Sequence, residues 1–121
     1  MNKQLTFLLA LTFLFLLSSA SVAFADEFQD YQEALKWFRF SAAQGLAKAQ
    51  YNLGVMYFNG QGVPQDYVLA HMWWNLSGSN EQKEAIENRN IVEERMSKQQ
   101  IEKAREMARN WKPTKKDETN E

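Results

Sequence analysis

Cysteine is absent from all 121 residues, which removes disulfides, thiolate metal sites and a lipobox-type lipid anchor from consideration. A small domain without such staples depends on its apolar core. Histidine occurs once, as His71, so no cluster of imidazoles can hold a metal. The two prolines, Pro64 and Pro113, both stand beside breaks in the helical pattern. Neither sign of charge dominates: 14 Lys and Arg face 15 Asp and Glu, a net charge of −1. This balance gives no electrostatic reason to expect nucleic acid or an anionic membrane surface as partner. The alternating pattern of a strand is also missing, and the chain reads as all-α.

The long apolar run is at the start. Lys3 is followed by LTFLLALTFLFLL, Leu5 to Leu17, and then by small residues ending in Ala23-Phe24-Ala25. A cationic start, an apolar stretch and an A-x-A site predict a secretory signal peptide over 1–25, cleaved after Ala25. The alternative is an uncleaved signal anchor, because Leu5 to Phe24 is long enough to span a bilayer. Either way the remaining domain is expected outside the cytoplasm, periplasmic or secreted.

Beyond residue 25 the sequence repeats with an offset of 36. Ala34 falls on Ala70, Trp37 on Trp73, Phe38 on Trp74 and Ser41 on Ser77. Ala49 then meets Ala85 and Asn52 meets Asn88. Further on the match fades, with Leu53 on Arg89, Gly54 on Asn90 and Tyr57 on Glu93. One complete unit and an eroded second unit are expected, the second acting as a polar cap.

Spacing and punctuation predict five helices after the leader. The first, 28–44, carries Phe28, Tyr31, Leu35, Phe38 and Ala42 inward, and Gly45 ends it in the left-handed conformation. The second, 47–59, turns Ala49, Leu53, Met56 and Tyr57 inward. Gly60-Gln61-Gly62-Val63-Pro64 breaks the chain, and Asp66 caps a third helix running to about Leu76. A polar helix follows over roughly 81–95. Ser97 and Gln100 have capping-box spacing and open a last helix with Ile101, Ala104, Ala108 and Trp111 on one face. Pro113 ends it. Residues 26–79 thus hold one unit plus the first helix of the next, 80–111 the degenerate remainder and cap, and 112–121 a disordered tail. Gly54 costs helix propensity and marks a close helix approach. Trp37, Phe38, Trp73 and Trp74 are expected to fill space between layers.

These motifs stand in a family order. Ala34-x-x-Trp37, Ala42-Ala43-x-Gly45, Ala49 to Tyr57 (AQYNLGVMY) and Gly60-x-Gly62-Val63-x-x-Asp66 together resemble the Sel-one-like repeat (SLR) family, relatives of tetratricopeptide repeats. The segment Met96–Trp111 resembles the capping helix that often closes such proteins. The second helix of the second unit lacks L-G-x-x-Y, which departs from the pattern. The resemblance implies a short α-solenoid of antiparallel hairpins that mediates protein–protein contacts.

Catalytic chemistry finds little support. His71 has no cysteine or second histidine beside it, and a structural role is expected. Glu93-Glu94 and Glu102 with Glu106 lie among cations and read as solvated helix faces. Gly60-x-Gly62 lacks the rest of a phosphate loop and reads as a turn. No catalytic residue, metal or cofactor is therefore expected. The candidate partner-binding surface is Lys48, Tyr51, Val55, Phe58 and Asn59, on the helix that lines the concave side in related superhelices. The competing expectation packs the Tyr51, Val55 and Phe58 strip against the second unit or the last helix. The functional expectation is an exported, non-catalytic module binding a protein or peptide. A cell-wall-related hydrolase or penicillin-binding protein, and a structural subunit forming homo-oligomers, are the alternatives.

Overall fold

The computed structural model describes residues 2–114 and contains five helices with no strand among them. Helix α1 is Lys3–Ala43, α2 Ala47–Asn59, α3 Tyr67–Ser79, α4 Lys83–Glu93 and α5 Lys98–Asn110. The fold is an all-α repeat solenoid: α1 and α2 form one antiparallel hairpin, α3 and α4 a second, and α5 packs on α3.

Helix boundaries follow the local chemistry. Gly45 (φ 94°), one residue past the Gln44 cap of α1, and Gly60 (φ 67°), the cap of α2, take positive φ, and the Gly60 N–H donates to Met56 O. Asp66 caps α3, its carboxylate accepting from the Leu69 N–H at 3.0 Å. Ser97 and Gln100 form the reciprocal capping box of α5. The third helix runs three residues past the expected stop at Leu76. Its extra turn is held because Ser77 Oγ is buried and donates to Ala47 O at 2.7 Å. Gly78 beside it admits Ile86, whose Cγ1 would lie 2.6 Å from a Cβ there.

Two apolar cores correspond to the two hairpins. Leu35, Ala42, Ala49, Leu53 and Met56 form the first, with Tyr31, Phe38 and Trp73 packed on it. Ala70, Trp74, Ala85 and Val92 form the second. Gly54 is the close crossing its position predicts: a Cβ there would sit 2.5 Å from Trp74 Nε1. The Trp74 indole N–H meanwhile donates to Tyr51 O at 3.1 Å, fixing the ring against α2.

Four expectations change. Trp37 does not fill an interlayer space; it is 62% exposed on the side of α1 opposite Leu35. Phe28 points along the inward stripe but is half-exposed, since α2 ends at Asn59 and only the Gly60–Pro64 turn reaches it. The first helix does not begin near residue 28, because the apolar run from Leu5 continues into it without a break. Finally, the start of the expected tail is anchored: the Thr114 N–H and hydroxyl both donate to Ala43 O. The remainder of that tail, 115–121, lies outside the described residues.

Candidate functional site

Side chains of α2 meet α3 and α4 along one cleft. It encloses about 320 Å³ and is lined by Tyr51, Val55, Phe58, Asn59, Trp74, Asn88 and Ile91. Four of the five residues singled out from sequence line it. Lys48 does not; it is exposed one turn nearer the start of α2.

The same residues also hold the second hairpin in place. Tyr51, Val55 and Phe58 are half-buried and pack against the Trp74 and Val92 core. Phe58 stacks on Tyr67 with ring centroids 5.5 Å apart and lies 5.6 Å from Trp74. The Arg95 guanidinium sits 5.5 Å above the Phe58 ring, a cation–π contact. Asn88 Nδ2 donates to the Tyr51 hydroxyl at 3.4 Å. The strip on α2 is therefore not a freely solvated face. Its inner edges belong to the core and its outer edges form the floor of the cleft.

Ile91 and Asn88, from α4, complete the site and were missed in the sequence reading. Ile91 is 54% exposed although its neighbour Val92 is fully enclosed. The signal was present: an isoleucine on a helix otherwise rich in Glu, Asn and Arg, three residues after Asn88 and so on its face. The floor is apolar through Val55, Phe58 and Ile91. Asn59 and Asn88 add side-chain amides, which both donate and accept and so match a peptide backbone.

A polar cluster outside the cleft lining joins α3, α4 and α5. His71 is fully buried, and its Nε2 is 2.7 Å from Glu93 Oε1. Arg105 Nη2 donates to the same carboxylate oxygen at 3.2 Å, so α3, α4 and α5 meet at one atom. Burial holds the His71 pKa below the ordinary histidine value, even though Glu93 pulls it upward. The His71 hydrogen bond is the main cause of a lowered Glu93 pKa, and Arg105 adds to it. With its ring wholly enclosed, His71 cannot meet a substrate arriving from solvent. Its role is a polar link between helices, in the position that Leu35 occupies one unit earlier.

The architecture and the cleft define a short helical-repeat module of hairpins around a lined groove. Residues 25–46 and 47–80 match the Sel1 repeat, and the chain is a Sel1-like repeat protein. A chitin synthase regulator of Saccharomyces cerevisiae is 38% identical over 58 residues, 48% of this chain and 8% of the relative. Chitin synthase regulatory factor 3 of Schizosaccharomyces pombe is 49% identical over 43 residues, 36% of this chain and 5% of the relative. The chain thus spans less than a tenth of these curated relatives. A protective antigen of uropathogenic Escherichia coli with an SLR fold superposes with a TM-score of 0.64 and 37% identity. That match covers 66% of this chain and 17% of the antigen. Sel1 repeats generally mediate protein–protein contacts.

Proposed function

We propose that the chain is exported and works as a non-catalytic module whose α2–α4 cleft binds an extended peptide segment of another protein. The observation that carries this reading is the cleft itself. It has an apolar floor at Val55, Phe58 and Ile91 and side-chain amides at Asn59 and Asn88. Its volume suits one or two apolar side chains of a peptide whose backbone meets the amides. The relatives' printed roles, regulation of chitin synthase, are in keeping with a module that contacts another protein. Export is supported by the apolar run of α1, which is long enough to cross a membrane and has no part of its apolar window buried. The A-x-A sequence at 23–25 supports cleavage there.

Selection from a displayed peptide library against the full chain in mild detergent tests the binding reading. Peptides with a spaced apolar residue should be enriched on the native chain and lost on Ile91→Asp, which places a charge on the cleft floor. Equal recovery on both proteins would remove the cleft from the account.

A further inference from the structure

The last helix is fastened differently from the other four. Neither apolar core takes a residue from α5. The side chains it buries are small, Ala104 and Ala108. Its remaining ties are few: Trp111 meets Trp73 edge-on at 6.2 Å, Arg105 bonds Glu93, and Thr114 beyond it bonds Ala43 O. An element with so little apolar area in the core stands at the low end of local stability. Helix α4, by contrast, places Ala85 and Val92 in the second core.

His71 of α3 lies where these two helices meet. Glu93 Oε1 accepts from both His71 Nε2 and Arg105 Nη2, so the neutral ring carries its proton on Nε2 and leaves Nδ1 as a bare acceptor. Nδ1 is buried and has no partner among the described residues. A second proton would make Nδ1 a buried donor with nothing to accept from it, which is costly. The charged groups facing the ring are Glu93 and Arg89 of α4 and Arg105 of α5. Glu93 attracts a positive imidazole, the two guanidiniums oppose it, and burial outweighs the attraction. Water must reach the ring before it can charge. Of the two helices beside it, α5 is the one that can move without opening a core.

We propose that α5 is an acid-released cap: protonation of His71 frees the last helix from α3 while both hairpins stay folded. The direction follows from the ring's surroundings. Closed, His71 resists the proton; open, it takes one with the ordinary pKa of about 6.5. The cap is therefore held above that pH and loosened below it. Its release uncovers the side of α3 that bears His71 and the edge of Trp73, and leaves α4 beside α2. The module would thus present to its surroundings a second, apolar face that is shut at neutral pH.

A chain without cysteine permits a direct test. Ala104→Cys, buried under the cap, is made in the full chain in mild detergent, and its labelling by a pyridyl disulfide is timed at pH 7.5 and 5.5. Ala49→Cys, in the first core, is the reference for global unfolding. Each rate is divided by that of the same variant unfolded in urea at the same pH. The expected result is a severalfold rise at Ala104→Cys on acidification, with about tenfold as the ceiling for one histidine over this range. Ala49→Cys should stay protected, and adding His71→Leu should abolish the rise at Ala104→Cys. Ala108→Cys is the second reporter should Ala104→Cys lose helicity by circular dichroism. Equal rates at both pH values overturn the proposal. So does a rise that survives His71→Leu, or one that Ala49→Cys follows in step, which would mean unfolding of the whole domain.

Discussion

At Gly54 the backbone of α2 comes within reach of an indole, and a single methyl group decides whether it can. The space is filled by Trp74, which is 3% exposed and hydrogen-bonded to Tyr51 O. Gly54→Ala gains about 1 kcal/mol of helix propensity. It nevertheless forces the ring away from that bond, and overpacking costs roughly 1–3 kcal/mol. Urea denaturation should show a net loss of stability; a gain would mean that the ring moves without cost. His71 permits a pH test. Its folded pKa lies below the unfolded value of about 6.5, so below that pH the unfolded chain binds a proton the folded one resists. Stability is complete above about 6.5 and falls as pH drops through this window. Glu93, also lowered, adds a further loss in the carboxylate range. Melting temperatures from pH 7.5 to 5.5 should fall in the native chain and stay nearly level in His71→Leu, the residue found at the equivalent position of the first unit. A parallel fall in both would place the proton elsewhere.

Among the elements, helix α2 serves both the core and the cleft, and its side chains divide the two duties. Phe58 lies between Tyr67, Trp74 and Arg95. Phe58→Ala should therefore cost about 2 kcal/mol in chemical denaturation, short of the roughly 3–5 kcal/mol of a fully enclosed phenylalanine. Ile91→Ala should change stability by no more than about 0.5 kcal/mol, as exposed positions do, while weakening peptide binding. Equal destabilisation by both would make the cleft floor part of the core. The helices were legible where a boundary carries its own signal: Gly45 and Gly60 after the first two, Asp66 and Ser97 before the third and fifth. Gly54 announced its crossing by the cost of glycine in a helix. Trp37 misled because helical spacing gives a side chain's direction and not what stands opposite; its counterpart Trp73 has a hairpin before it. Asn88 and Ile91 escaped because they join the cleft only when the third helix folds α4 back beside α2, a contact no local pattern encodes.

At the scale of the molecule, a two-hairpin solenoid is closed at one end by α5 and prolonged at the other by the apolar first part of α1. The large residues of that part, from Leu5 to Phe24, are exposed throughout, so they add nothing to the stability of the hairpins. Removal after Ala25 should leave the helical domain folded with Asp26 as its first residue. N-terminal sequencing of the chain from its native cells checks this, and a membrane-held product that begins at Met1 would mean an anchor instead. Binding in the α2–α4 cleft is tested by where a partner sits. Hydrogen–deuterium exchange of the full chain, with and without a peptide selected for binding, locates it most directly. New protection confined to Tyr51–Asn59 of α2 and Asn88–Ile91 of α4, with α5 unchanged, is the result the cleft predicts. Protection on α5 or on the outer face of α1, with α2 and α4 exchanging as before, would contradict it.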